Sequence, residues 1–234
     1  MVDRRKVLVG AAGAAGIVAV EALAQTSPAP TPPPPESPWA VTYIEVAPAE
    51  AAAARRLLAR YRDALKDKGA LEFAVFEQMG RPNHFVIVEE WPSVKAREDN
   101  AASAPARELR AGLAPLLIAP YDERPHYALS TARKTGTEAA LHVVTHVDFI
   151  PPKREEGTAE VRKLVEASRG TAGNILFDAL VQVSRPNHLT VFECWKTAAD
   201  RDAHSAAGPV RSFRNATGPM SGSLYDERLY TLLK

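Results

Sequence analysis

The chain has 234 residues, 46% hydrophobic and 24% charged, the balance of a globular protein with one or two domains. Lys and Arg number 29 against 28 Asp and Glu, a formal charge of +1 with no basic cluster in the folded part, so nucleic acid is excluded as an expected partner. The single cysteine, Cys194, excludes an intrachain disulfide and a Cys-based zinc cluster, and reads as a small apolar residue of a buried strand rather than a nucleophile.

The N-terminus carries a targeting pattern. Met1 to Lys6 is basic, Val7 to Val20 is an uncharged Ala/Gly-rich run, and Ala22-Leu23-Ala24 offers a cleavage site before Gln25. Asp3-Arg4-Arg5-Lys6-Val7-Leu8-Val9 is similar to a twin-arginine signal, the general secretory route being the alternative. Residues 1–24 are therefore expected to be a signal peptide, and the protein periplasmic or secreted. The apolar run is too short to cross a bilayer comfortably, so no stable membrane span is expected after cleavage. Residues 25–38 read QTSPAPTPPPPESP, an extended spacer in which proline removes amide donors and fixes the backbone.

Beyond the spacer the chain repeats itself. Arg81-Pro82-Asn83-His84 returns 104 residues later as Arg185-Pro186-Asn187-His188. At the same offset Glu89 and Trp91 return as Glu193 and Trp195, and Tyr121-Asp122-Glu123-Arg124 as Tyr225-Asp226-Glu227-Arg228. Two domains, 39–132 and 139–234, share one layout. Trp39–Val46 and Leu141–Phe149 predict strands, each ending near a proline. A helix runs from Pro48 to about Asp67, with Leu57, Leu58, Tyr61 and Leu65 at helical spacing, and its partner runs from about Lys153 to Ser168. Gly69 and Gly173 are expected as their C-caps. Strands at Leu71–Met79 and His84–Trp91, then Asn174–Ser184 and His188–Trp195, flank the Arg-Pro-Asn turns, whose Pro and Asn suit a hairpin. A helical region broken at Pro105 or Pro209 and a last strand from about Tyr121 or Tyr225 complete each copy. The order β-α-β-β-α-β is a ferredoxin-like α+β unit with one uncovered apolar sheet face, so the two copies are expected to close on each other as a pseudo-dimeric α+β barrel.

This layout, with Glu-x-Trp closing the third strand and a short helix after it, resembles the antibiotic biosynthesis monooxygenase (ABM) family over nearly all of Trp39 to Lys234. The resemblance implies a dimeric α+β barrel, here an intrachain pseudo-dimer, with a further homodimer left open. Members of the family include cofactor-independent oxygenases of quinols and aromatic polyketides, haem-degrading enzymes and isomerases of small signalling molecules. Their most recurrent motif is a Trp ending strand three with a His nine or ten residues later, matched by Trp195 and His204; copy one has Trp91 and Asn100. A second family position, in strand one, falls on Tyr43 and His146, each five residues before a proline. The haem degraders keep Asn there, and its absence argues against haem cleavage by that triad.

The resemblance thus points to His204 and His146 as catalytic and to Trp195, Trp91 and Tyr43 as substrate-binding, all of copy two's set sharing a pocket between its helices and sheet. His204 would take a proton from a phenol, leaving a ring electron-rich enough to reduce oxygen without metal or flavin. The bland readings are a surface histidine for His204 and a satisfied strand histidine for His146. His142, on His146's face, makes too weak a pair for a metal site. Glu89 and Glu193 share the face of their tryptophans, and as inward carboxylates need partners, for which Arg124 and Arg228 are expected. The expected function is an exported monooxygenase of a small aromatic or quinol substrate, with oxygen as co-substrate and no cofactor, haem being the alternative. The competing readings are a non-catalytic binder of a hydrophobic small molecule, and a family isomerase or haem-modifying enzyme.

Overall fold

A computed structural model describes residues 38–66, 68–132 and 141–233. The expected signal peptide, nearly all of the proline-rich spacer and the junction between the copies lie outside the described residues. Copy one runs β1 (Pro38–Glu45), α1 (Ala51–Leu65), β2 (Glu72–Gln78), β3 (His84–Glu90), α2 (Val94–Ala101), α3 (Ala104–Leu113) and β4 (Asp122–Ser130). Copy two runs β5 (Leu141–Asp148), α4 (Arg154–Arg169), β6 (Asn174–Gln182), β7 (His188–Trp195), α5 (Ala198–Ser205), α6 (Gly208–Thr217) and β8 (Asp226–Leu232). The expected element order is observed, with proline opening the first helix of each copy through a short 3-10 turn. Pro105 and Pro209 stand in the first turns of α3 and α6, where the missing N–H has no carbonyl to meet.

The expected C-caps are placed differently. Helix α1 ends at Lys66, whose ψ of 128° is already extended, and α4 ends at Gly170 in a helical conformation. Gly69 and Gly173 come three residues later, at φ of 87° and 76°, in the turns that lead into β2 and β6. Their left-handed backbone serves the turn rather than the helix end.

The eight described strands close into a barrel in the order β1-β3-β2-β8-β5-β7-β6-β4. Each copy contributes the ferredoxin-like order 4-1-3-2, and the copies are joined along edges as well as faces. Strand β2 pairs with β8 through Phe76 and Leu232, and β4 pairs with β6 through His126 and Gln182. Closure leaves none of the described strands with a free edge, which removes the usual template for aggregation.

Three apolar layers result. Leu58, Tyr61, Leu65, Leu109 and Leu113 cover the outer face of copy one's sheet, on Ile44, Phe85, Ile87 and Trp91. Val161, Leu164, Val165, Val210 and Phe213 do the same for copy two, on Val143, Phe177, Val191 and Trp195. The barrel interior is filled by Trp39, Val41, Tyr43, Phe76, Val86 and Val88 from copy one and Val144, Leu176, Leu180, Phe192, Cys194 and Tyr230 from copy two.

Gly157 shows how tightly the helix layer is packed. A Cβ there would stand 2.5 Å from the Phe149 ring, and Phe149 is pinned because Asn187 Nδ2 donates to its carbonyl at 2.8 Å. Alanine is the better helix former by about 1 kcal/mol, but overpacking costs about 1–3 kcal/mol. Gly157→Ala is therefore expected to lower stability by a net of up to ~2 kcal/mol, read as a shifted urea midpoint at unchanged slope.

Candidate active site at the barrel mouth

All eight neighbouring strand pairs are antiparallel, and β1 and β5 lie four places apart around the ring, so they run in the same direction. Equivalent residues of the two copies therefore reach the same end of the barrel. Strands β1 and β5 finish there with Tyr43 and Glu45, and His146 and Asp148. Strands β4 and β8 start there with Asp122 and Arg124, and Asp226 and Arg228, and β3 and β7 start with His84 and His188. Cross-strand partners share a face, and Tyr43 stands opposite Asp122 while His146 stands opposite Asp226, so these side chains face the interior with the buried Tyr43. Between the copies lies a cavity of about 440 Å³, within the range of small-molecule sites, lined among others by Tyr43, Arg124, His146, Thr190, Asp226 and Arg228.

The Tyr43 and His146 rings are 5.1 Å apart, and the Arg124 guanidinium sits 4.7 Å from the centre of the Tyr43 ring. Arg124 is also bonded to Asp122 at 2.5 Å and Arg228 to Asp226 at 2.8 Å. His188 pairs with Asp148 at 2.8 Å, and His84 lies 3.5 Å from Glu45. Behind this ring His126 is 1% exposed, its Nδ1 2.7 Å from the Arg124 carbonyl and its Nε2 3.1 Å from Thr190 Oγ1. A carbonyl only accepts, so Nδ1 carries the hydrogen and Thr190 donates its hydroxyl to Nε2. The Tyr43 hydroxyl is buried, makes no hydrogen bond of full geometry among the described residues, and has the Thr190 hydroxyl as its near polar neighbour in the same cavity. A buried hydroxyl left without such a bond is costly, and this one belongs to a side chain that lines the cavity.

Burial, then the Arg124 charge, hold His146 at about 4, so it is a neutral imidazole at ordinary pH. Burial, then the Tyr230 phenol, push the Tyr43 hydroxyl above its usual range, which keeps it a hydrogen-bond donor. The mouth thus offers a neutral proton acceptor, a neutral donor and two guanidinium groups around one volume. Such a set can take a proton from a phenol and stabilise the anion that results.

The structure does not bring the expected site residues together. Strand β5 is buried on both faces, and successive side chains alternate between them. His142, Val144 and His146 point into the barrel, whereas Val143, Thr145 and Val147 point to the helices. Trp195 and His204 lie on the helix side, so copy two's set is split across its own sheet, as Tyr43 and Trp91 are in copy one. His204 is 5% exposed, with its ring 4.7 Å from that of Trp195 and 5.4 Å from that of Phe177. It is thus no surface residue. Ser168 Oγ donates its one proton to the Leu164 carbonyl at 2.7 Å, which leaves His204 Nε2, at 2.8 Å, as the donor to that oxygen. Burial, then Arg201 and Arg214, hold His204 at about 4. Asn100 is engaged in the same way, donating to the Tyr61 hydroxyl at 2.8 Å.

The carboxylate partners are also corrected. Glu193 pairs across strands with Val143, on the helix side, whereas Arg228 pairs with Val144, on the interior side. Glu193 instead accepts from Trp195 Nε1 at 2.8 Å, and burial raises it to about 7. Glu89 lies 3.4 Å from the Tyr61 hydroxyl, and burial, then Glu123, raise it to about 7. Cys194 is fully buried with its thiol pushed up by burial, and His142 Nδ1 lies 3.1 Å from its sulfur. Among the described residues no three His, Cys, Asp or Glu side chains could hold a metal ion. Arg124 and Arg228, which line the cavity, are the last residues of the repeated Tyr-Asp-Glu-Arg, the one signal of them in the sequence.

The comparisons agree with this architecture. The chain is similar to "Putative monooxygenase YcnE" of Bacillus subtilis (strain 168), at 33% identity over 68 residues, which are 29% of this chain and 72% of that protein. Among solved structures, one described as a putative monooxygenase from Fusobacterium nucleatum superposes with a TM-score of 0.73 at 15% identity, covering 85% of this chain and 93% of its own. Another, from Lactobacillus acidophilus, gives 0.70 at 12% identity, covering 86% and 95%. At those identities the two structures attest the fold alone. The family model described as antibiotic biosynthesis monooxygenase matches residues 39–111 and again 140–216, one match in each copy. With the two matches together spanning 150 of the 234 residues, the protein belongs to the antibiotic biosynthesis monooxygenase family.

Proposed function

We propose that this protein is a monooxygenase of small phenolic or quinol compounds, using oxygen without metal or flavin at the mouth of the barrel. The observation that carries this reading is the buried Tyr43 hydroxyl beside the neutral imidazole of His146 in one cavity. His146 accepts the phenolic proton, while Tyr43 and the two arginines hold the oxyanion. The electron-rich anion passes one electron to oxygen, and the resulting radical pair joins to form a C–O bond at a ring carbon. The hydroperoxide then loses that carbon's hydrogen as a proton. Its O–O bond breaks, and the outer oxygen leaves as water. For a hydroquinone the balance is one quinol and one O2 to one hydroxyquinone and one water, so no further reductant enters.

The test is oxygen uptake over a panel of phenols and quinols with paired variants. His146→Ala is expected to lower turnover by about 10²–10⁴, the usual worth of a positioned base, with thermal unfolding unchanged. His204→Ala is expected to cost about 1–3 kcal/mol of stability through its lost bond to Ser168, with turnover within a few-fold. The opposite pattern would move the chemistry to the helix side, beside Glu193. Tight binding of the phenols without oxygen uptake would identify a binding protein.

A further inference from the structure

Charge is not spread evenly along the cavity at the barrel mouth. Side chains two residues apart on a strand share a face and stand about 7 Å apart along it, so the walls form successive layers. Arg124 and Arg228 rise from the deepest of these, opposite Val41 and Val144. Tyr43 and His146 stand one layer out, opposite Asp122 and Asp226. Glu45 and Asp148 form the rim, opposite His84 and His188. Of these polar side chains all but His84 line the cavity. Tyr43 is 7% exposed, and its hydroxyl makes no hydrogen bond of full geometry among the described residues, so the middle layer holds a polar group that a ligand oxygen can satisfy.

The walls carry four carboxylates against two guanidinium groups. Each arginine is bonded to its own aspartate, Arg124 to Asp122 at 2.5 Å and Arg228 to Asp226 at 2.8 Å, so those charges are matched. Glu45 and Asp148 face histidines instead. His84 lies 3.5 Å from Glu45, and burial lowers its pKa below the ordinary imidazole value, which leaves it neutral at pH 7. His188 lies 2.8 Å from Asp148, to which Ser223 Oγ also donates at 2.9 Å. Even a protonated His188 leaves the walls one negative charge in excess. The other cations of this end lie outside the walls: Arg81 and Arg185 are exposed in the hairpin turns, while Lys153 and Arg154 pair with Glu156 and Glu155. The excess sits at the rim, where a cleft focuses the field of its carboxylates, and the guanidinium groups sit at the bottom. Ala119, Pro120 and Leu189 give the same walls apolar stretches. A ligand matched to this gradient is an oxygen acid at its inner end, hydrocarbon in its middle and cationic at its outer end.

We propose that the ligand taken at the mouth is a phenol carrying an ammonium group on a short alkyl arm, its hydroxyl at Tyr43 and His146 and its ammonium at the rim beside Glu45 and Asp148. The binding stands on the cavity alone; that the bound amine is oxygenated rests on the function proposed above. The test is calorimetric titration of the full chain under nitrogen, which holds oxygenation off, with 4-(2-aminoethyl)phenol, 4-ethylphenol and 3-(4-hydroxyphenyl)propanoate. The amine is expected to bind at least about tenfold more tightly than 4-ethylphenol, and the carboxylate more weakly than either. Raising sodium chloride from about 0.05 to about 0.5 M should narrow the gap, because solvent ions screen charges at the rim. Glu45→Gln with Asp148→Asn is expected to bring the ratio of amine to 4-ethylphenol affinity to about one, whereas loss of a merely structural contact would lower both affinities and keep the ratio. If thermal melts show that this pair unfolds the barrel, Glu45→Gln alone, at a side chain 34% exposed, should still reduce the ratio about threefold. An amine that binds no more tightly than 4-ethylphenol, a carboxylate that binds best, or a preference that survives these substitutions would overturn the proposal. Preferred binding of the amine with no oxygen uptake once air is admitted would leave this inference standing and remove the proposed function. Uptake with 4-ethylphenol and equal affinity for all of the probes would do the reverse.

Discussion

Either copy alone, 38–132 or 141–234, is expected to yield no stable folded monomer. Each copy places six residues in the shared barrel interior, among them Tyr43 and Phe76 from one and Phe192 and Tyr230 from the other. Exposing six such side chains at about 1.5–3 kcal/mol each costs roughly 9–18 kcal/mol, as much as the whole stability of an ordinary domain. Separation also strips hydrogen-bond partners from two strands of each copy, β2 and β4 in one and β6 and β8 in the other. The isolated halves should aggregate, or pair with themselves to rebuild a closed barrel. Light scattering with circular dichroism checks this, and a monodisperse folded monomer of either half would refute the interdependence of the copies.

Acid should unfold the intact chain well before its surface carboxylates are all protonated. His126, His142 and His204 are 1%, 2% and 5% exposed, and burial holds each at about 4 against an unfolded value near 6.5. A depressed histidine favours the folded state fully above pH 6.5, and that support is lost as the unfolded chain gains protons on the way down to pH 4. Each of the three is worth up to about 3 kcal/mol at the acid end. Glu89 and Glu193, raised to about 7, act in the opposite sense. They favour folding below their unfolded value of 4.5, and their contribution is lost as pH rises through 7. With His146, also held at about 4, four histidines outweigh two carboxylates between pH 6.5 and 4.5, so the melting temperature should peak near neutrality and fall on the acid side. Glu193→Gln isolates the carboxylate part, because the amide can still accept from Trp195. It should gain about 2 kcal/mol more at pH 8 than at pH 5. Equal effects at the two pH values would mean that Glu193 is not protonated in the folded protein.

The architecture was legible in the amino-acid order alone. A repeat at constant offset, helical spacing in Leu58, Tyr61 and Leu65, and proline and asparagine at the hairpins are local features, and local physics suffices to read them. The pairing of two half-covered sheets could be inferred because each unit alone would leave an apolar face in water. The site was legible only as a set of residue types. Strands β1 and β5 are buried on both faces, so no alternation of polar and apolar residues marks which side chain points where, and one position along a strand exchanges interior for exterior. That is why His146 and His204 could be read as neighbours although a sheet divides them. It is also why Arg124 and Arg228 were assigned to Glu89 and Glu193 on the opposite face. Closure of the ring, which no local pattern encodes, sets β1 and β5 running in the same direction. That common direction gathers Tyr43, His146 and the two arginines, residues distant in sequence, at one mouth.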